Sequence, residues 1–235
     1  MNLLKAIVFD MDGLMVDSEP LSQQAWDEYL RPYGHQLSEE VVQSIIGLRA
    51  DVSTPVIKEL FSLPEPVPTI INKRAAIYSQ IRANGVPTMP GLHALHDEIA
   101  RRNIPWGIAT SSPRAHAVEI LQQLGLQERC RAIAAGDEVT NGKPHPDIYL
   151  LAARRLGIAP QDCLALEDSG PGSQAAVNAG MTVIAIPNAQ TKTADFSHVH
   201  YLYRSLEDVL TNLDQWFSGN GFPPHAFAGA GTSRE

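Results

Sequence analysis

Four carboxylates fall within ten residues near the N-terminus, in the run Asp10-Met-Asp12-Gly-Leu-Met-Val-Asp17-Ser-Glu19, with no basic residue among them. Asp10 and Asp12 stand where the apolar tetrad Ala6-Ile-Val-Phe9 ends. Such a tetrad reads as a buried strand, and the C-terminal ends of strands in open α/β sheets are where ligands bind. A calcium loop is excluded, because it would need an acceptor at Leu14 and glycine at Met15. A second acidic pair, Glu167-Asp168, ends the apolar run Cys163-Leu-Ala-Leu166 and precedes Gly170-Pro-Gly172-Ser-Gln-Ala175. The glycine spacing copies a dinucleotide fingerprint, but two carboxylates just ahead of it would repel a pyrophosphate. They are better suited to a hard cation, with the glycines making the turn into the next helix.

Two further stretches carry polar chemistry. Lys143 lies in Asn141-Gly-Lys-Pro-His-Pro146; a phosphate-binding P-loop would need glycine at Asp137 and Ser or Thr at Pro144, so that motif is excluded. Prolines on both sides of His145 restrain the backbone and predict one fixed direction for Lys143. Thr110-Ser111-Ser112 places hydroxyls between the run Trp106-Gly-Ile-Ala109 and a helix N-terminus, where they could donate to a phosphate. All four stretches end predicted parallel strands, so they can converge on one crevice. Two carboxylate pairs, a lysine and hydroxyl donors together suggest phosphoryl transfer through a carboxylate nucleophile with Mg2+. A phosphate approaching Asp10 would be repelled by about 4 kcal/mol per charge pair at about 4 Å and an effective dielectric of about 20. Mg2+ and Lys143 would offset that repulsion.

The elements that must position these residues follow from apolar patterning. Ala6–Phe9, Trp106–Ala109, Ala132–Ala135, Cys163–Leu166 and Thr182–Ile186 are continuous apolar runs, which suits strands covered on both faces. Helices are predicted from Ser112-Pro113, with Ser112 as N-cap, Val118, Leu121 and Leu124 as the apolar stripe and Gly125 as the stop. Two more are predicted over Pro146–Leu156 and Ser173–Ala179. This alternation implies a doubly wound parallel α/β sheet. No strand signal occurs from Asp17 to about Thr88, where Ser18–Tyr29, Ser38–Ile46 and Thr69–Arg82 read as helices joined in part by the stiff connector Leu63-Pro-Glu-Pro-Val-Pro68. The expected organisation is an α/β core over 1–16 and 89–217, an inserted helical cap over 17–88, and a Gly- and Pro-rich tail over 218–235.

Composition narrows the function. The 235 residues carry 18 Lys plus Arg against 26 Asp plus Glu, a formal net charge of −8, with no basic stripe for a nucleic-acid backbone. Two separated cysteines rule out a disulfide framework and favour a reducing compartment, and no apolar stretch approaches a membrane span. A cytoplasmic monomer acting on a small phosphorylated molecule is expected, without nucleic-acid or membrane partners. His93 and His96 read as an exposed face beside Asp97 and Glu98, and Trp26 and Tyr29 read as cap core. For His145 a place near the phosphate and a turn-packing role stand side by side. Arg49 is the cap residue expected to touch substrate.

The four motifs, in this order and over nearly everything except the tail, resemble the haloacid dehalogenase superfamily. The opening D-x-D-G-x-x-x-D-S-E and the late E-D-S-x-x-G are similar to its β-phosphoglucomutase-like phosphatase branch, as is a helical cap after the first motif. The resemblance implies Asp10 as the nucleophile that forms an aspartyl-phosphate and Asp12 as the acid and base. It implies that Thr110 and Lys143 hold the transferring group, with Ser111 beside them. Mg2+ would be held by Asp10, the Asp12 carbonyl and Asp168, with Glu167 as a further ligand or a partner behind it. Asp12 argues against dehalogenating and phosphonate-cleaving members, which lack that acid. Mutases of the branch typically carry a histidine where Ser22 stands and G-x-S-R where Gly47-Leu-Arg49-Ala50 stands. A phosphatase is the expectation, with a phosphohexomutase and a non-catalytic binding protein on the same fold as the alternatives.

Overall fold

The computed structural model describes residues 3–217; the expected tail over 218–235 lies outside the described residues. Its strands are β1 (Ala6–Phe9), β2 (Trp106–Thr110), β3 (Ala132–Ala135), β4 (Cys163–Glu167), β5 (Thr182–Ala185) and β6 (Tyr201–Leu202). Between β1 and β2 come α1 (Glu19–Leu30), α2 (Glu39–Ile45), α3 (Ala50–Leu60), α4 (Val67–Arg82) and α5 (Leu92–Arg101). After β2 come α6 (Arg114–Gln123), α7 (Asp147–Leu156), α8 (Gly170–Asn178), α9 (Leu206–Asn212) and α10 (Asp214–Phe217).

The strands form one parallel sheet in the order β3-β2-β1-β4-β5-β6, the expected α/β class. Strand alternation sorts side chains by size. Ile7, Phe9, Trp106, Ile108, Leu164, Leu166 and Ile184 point to one face and pack with Leu95, Ile120, Val209 and Trp216 from α5, α6, α9 and α10. Ala6, Val8, Ala109, Ala134, Ala165 and Ala185 point to the other, where small side chains let α7 and α8 lie close. Both faces are therefore dry, which is why the strands read as unbroken apolar runs.

The insertion has its own apolar cluster, built from Trp26, Tyr29, Leu30, Leu37, Val42, Ile57, Leu63 and Ile70. The chain enters and leaves it side by side. Val16 bridges Thr88 in antiparallel fashion, the Asp17 amide donates to Pro87 at 2.8 Å, and the Met89 amide donates to Met15 at 2.9 Å. Helix α5, beyond that ribbon, already packs on the sheet.

Several local expectations are corrected. Helix α6 starts at Arg114 behind an extended Pro113, not behind a Ser112 cap, because the Ser112 hydroxyl is donated to Asp12. Its buried residues are His116, Ala117, Ile120 and Leu121, a stripe shifted from Val118, Leu121 and Leu124. Helix α8 starts at Gly170 rather than Ser173, capped by Ser169, whose Oγ accepts from the Gly172 amide at 3.2 Å. The glycines therefore lie in its first turn. Helix α3, with Pro55 inside it, and the two-residue β6 were not expected from the pattern. His96 is 1% exposed rather than on the surface, with its ring 4.8 Å from Phe9 and 4.4 Å from Trp106. No helix among the described residues is long and apolar enough to cross a membrane.

Candidate active site

Asp10 follows β1 directly, and its amide donates to Leu166 of β4 at 2.9 Å, which sets it at the C-terminal edge of the sheet. Lys143, from the loop between β3 and α7, reaches the same point with its side chain 2% exposed. Its Nζ lies 2.6 Å from Asp10 Oδ1 and 2.5 Å from Glu167 Oε1. Burial alone would depress the lysine, but the charges and hydrogen bonds of Asp10 and Glu167 outweigh it and hold the ammonium above its ordinary pKa. For Asp10 the balance runs the other way. Burial, joined by the Glu167 and Asp12 charges, outweighs Lys143 and pushes its pKa up to about 8.

Glu167, at the end of β4, is wholly buried. Oε1 accepts from Lys143 and from the Tyr149 hydroxyl at 2.8 Å; Oε2 accepts from the amides of Asp168 and Ser169 at 3.1 Å and from Ser169 Oγ at 3.0 Å. A carboxylate offers about four lone-pair sites, so these five donors saturate it. Gly172 is needed beside it, since a Cβ there would lie 1.8 Å from Glu167 Oε1.

Asp168 is different. Its Oδ2 accepts from Asn188 Nδ2 at 2.9 Å, while its Oδ1 is buried with no hydrogen-bond partner. Burial and the charges of Glu167 and Asp10 hold its pKa well above the usual carboxylate range. Asp10, Glu167 and Asp168 present oxygens within 4.8 Å of one another. An orphaned buried carboxylate oxygen in a group of three acids with one lysine suits an added hard cation, so the residues present fit a divalent ion. With Glu167 saturated, Asp10 and Asp168 are the carboxylates with capacity to spare. Gly13, at φ +85°, lets the chain pass over this group, because a Cβ there would lie 2.4 Å from Asp168 Oδ2.

Asp12 sits on the other side of Asp10's loop, its carboxylate held by three hydroxyls. Ser18 Oγ donates to Oδ1 at 2.9 Å, while Ser112 Oγ and Thr110 Oγ1 donate to Oδ2 at 2.8 and 3.2 Å. Ser18 heads α1 yet makes no cap bond, because its hydroxyl is spent on Asp12.

These groups floor a cleft of about 370 Å³ between the sheet edge and the helical insertion. Asp10, Asp12, Thr110, Ser111, Lys143 and Asp168 line it; Glu167 lies behind them. The Ser111 hydroxyl donates to the Gly47 carbonyl of the insertion at 2.9 Å. Arg49 does not line the cleft. Its Nη1 donates to the carbonyls of Gly136 and Val139 at 3.0 and 2.8 Å and its fork pairs with Asp51, so it straps the insertion to the core. His145 is exposed and also outside the cleft. The insertion instead contributes Glu19, Ser22, Trp26, Arg74, Tyr78 and Arg82. Burial and the Asp12 charge, against the pull of Arg74, raise the Glu19 pKa to about 7. Ser112, expected as an N-cap or a phosphate donor, gives its hydroxyl to Asp12 instead, and Asn188 is not singled out by the sequence. Asn188 stands just past the end of β5, so the strand-end rule that found the others would have found it. Tyr149 and Arg74 lie inside helices and carry no such signal.

The site's likeness to known proteins agrees with its chemistry. The haloacid dehalogenase-like hydrolase family matches residues 7–186. Hexitol phosphatase A of Escherichia coli is 34% identical over 209 residues, 87% of this chain and 93% of that protein. A phosphorylated carbohydrates phosphatase of Thermotoga maritima is 30% identical over 178 residues, 76% of this chain and 82% of that protein. Among solved structures, CbbY from Rhodobacter sphaeroides in complex with phosphate superposes with a TM-score of 0.81 at 28% identity, covering 90% of this chain and all of that one. The match spans both strand-end motifs, the insertion and the lysine loop, and by it the chain belongs to the haloacid dehalogenase-like hydrolase family.

Proposed function

We propose that this protein is a Mg2+-dependent phosphatase of small phosphorylated molecules, sugar or polyol phosphates foremost, working through an aspartyl-phosphate on Asp10. The observation that carries this reading is the Asp10–Lys143–Asp168 group on the floor of the cleft, with Asp12 held beside it by three hydroxyls. The names of the relatives, a hexitol phosphatase and a phosphorylated carbohydrates phosphatase, support the substrate class. The insertion acts as a cap over 17–88, hinged at the Val16–Thr88 ribbon. We read the enzyme as cytoplasmic and monomeric.

An oxygen of the Asp10 carboxylate attacks phosphorus while the bond to the leaving oxygen breaks, and Asp12 gives that oxygen its proton. Water then attacks the same phosphorus, Asp12 takes its proton, and the bond to Asp10 breaks to release inorganic phosphate. Lys143 and Thr110 offer donors to the phosphoryl oxygens. Asp10, Asp168 and the Asp12 main-chain carbonyl would hold Mg2+, with Glu167 behind them fixing Lys143. The ion supplies charge neutralisation for the approaching phosphate. Ser22, where the mutases carry histidine, favours hydrolysis over transfer back to a sugar.

The test is phosphate release from a panel of sugar and polyol phosphates with Mg2+ and with EDTA. Release that EDTA abolishes, and that Asp10→Asn lowers by on the order of a thousandfold or more, is expected. Full activity in Asp10→Asn would overturn the nucleophile assignment. Conversion of β-glucose 1-phosphate to glucose 6-phosphate without phosphate release would make the protein a mutase.

A further inference from the structure

The mechanism above uses only the floor of the cleft, and its roof holds a cation that nothing yet explains. Arg74, on α4, lines the cleft, and its Nη2 donates to the Ser22 carbonyl at 3.1 Å and to the Ser22 hydroxyl. Its guanidinium lies 5.4 Å from the Trp26 ring and 4.9 Å from the Tyr78 ring. Its Nε is buried with no hydrogen-bond partner, and no carboxylate stands within ion-pair distance among the described residues. Arg82 lies over the same Tyr78 ring at 5.3 Å, but it is compensated by Glu119 at 2.8 Å. His116, 8% exposed and edge-on to Tyr78 at 5.4 Å, also lines the cleft and has a buried, partnerless Nε2.

A half-buried guanidinium without a paired acid still loses part of its hydration, and the aromatic faces repay only part of that cost. Glu19 and Asp12 share the cleft and stabilise the charge at longer range, yet neither pairs with Arg74. Nη1 makes no hydrogen bond and is not sealed off, so the guanidinium keeps donors for a ligand acceptor in the cleft, and its charge, with no paired acid, suits an anionic one.

We propose that Arg74, oriented by Ser22 and backed by the Tyr78–His116 edge, recognises a second anionic group on the part of the substrate that leaves, a carboxylate or another phosphate. This rests on the phosphatase reading and narrows it to phosphorylated sugar acids or bisphosphates. Arg74 is then a specificity residue, since the group it binds remains on the product.

The experiment uses matched pairs on the full chain with Mg2+. One arm compares 6-phosphogluconate with glucose 6-phosphate, the other fructose 1,6-bisphosphate with fructose 1-phosphate. The expected result is a kcat/KM preference of about tenfold or more for the anionic member in one arm, which identifies the anion. Arg74→Gln should collapse that ratio toward one, chiefly through KM, and Arg74→Lys should restore part of it. Ser22→Ala, which removes only the orienting hydroxyl, should lower the ratio less. The wild-type ratio decides even if a variant does not fold. EDTA-sensitive release with no preference in either arm, or a preference that Arg74→Gln leaves intact, overturns the assignment and spares the phosphatase. No release from any substrate overturns the phosphatase reading and this inference with it.

Discussion

Glu167→Gln tests the electrostatic design of the site most sharply, because it preserves shape while changing one acceptor end into a donor. Five donors converge on the native carboxylate: Lys143, Tyr149, the amides of Asp168 and Ser169, and the Ser169 hydroxyl. If the amide oxygen faces Lys143, the new NH2 faces two main-chain N–H groups that cannot turn away. If it faces the main chain, the NH2 meets the Lys143 ammonium, which cannot accept. In either pose donors are orphaned at about 1–3 kcal/mol each, and loss of one partner of a buried ion pair brings the total to roughly 3–5 kcal/mol. That is a large share of a typical stability of about 5–15 kcal/mol. Urea unfolding followed by tryptophan fluorescence, with Mg2+ absent so that metal binding does not enter, should show a matching drop in midpoint at constant slope. Phosphate release should fall as well, since Lys143 loses one of the two carboxylates that aim it. A variant within about 0.5 kcal/mol of wild type would refute the claim that Glu167 is saturated by donors.

Two further predictions concern protons. Asp10 in the folded chain titrates at about 8 against 3.8 for the free side chain, so between those values the folded state holds a proton that the unfolded state has lost. Metal-free stability should therefore decline as pH rises through that window. Mg2+ competes with the same proton, so the melting-temperature gain on adding Mg2+ should grow from pH 5.5 to 8.5 in thermal shift; a flat response would refute it. His96 has the opposite sign. Burial lowers its pKa from 6.5 to about 4, so stability should be lost as pH falls from 6.5 towards 4, by roughly 3 kcal/mol at the acid end. Urea midpoints at pH 7.5 and 4.5 should show a smaller acid loss in His96→Leu than in wild type, and equal losses would sink the assignment.

The amino-acid sequence alone encodes the sheet and the place of the site along the chain. Apolar runs such as Ala6–Phe9 and Cys163–Leu166 end abruptly in carboxylates, and that contrast is local, so strand, strand end and acid can be read from a few neighbouring residues. It also determined that the insertion is helical, since about seventy residues after β1 carry no strand signal. What each polar side chain does was decided only by the tertiary structure, because its partners come from distant parts of the chain. Ser18 and Ser112 have N-cap spacing, yet both hydroxyls go to Asp12 instead. Glu167 and Asp168 look equivalent as neighbours, yet the donors around them saturate one and leave an oxygen of the other bare. The same holds for the cations. Arg49, the cap candidate for substrate contact, straps the insertion to Gly136 and Val139, while Arg74, with no motif to mark it, lines the cleft with no ion-pair partner among the described residues. Local spacing encodes which backbone a residue can adopt; the identity of a buried charge's counterpart depends on packing between elements, and that is settled only when the sheet and the insertion close on one another.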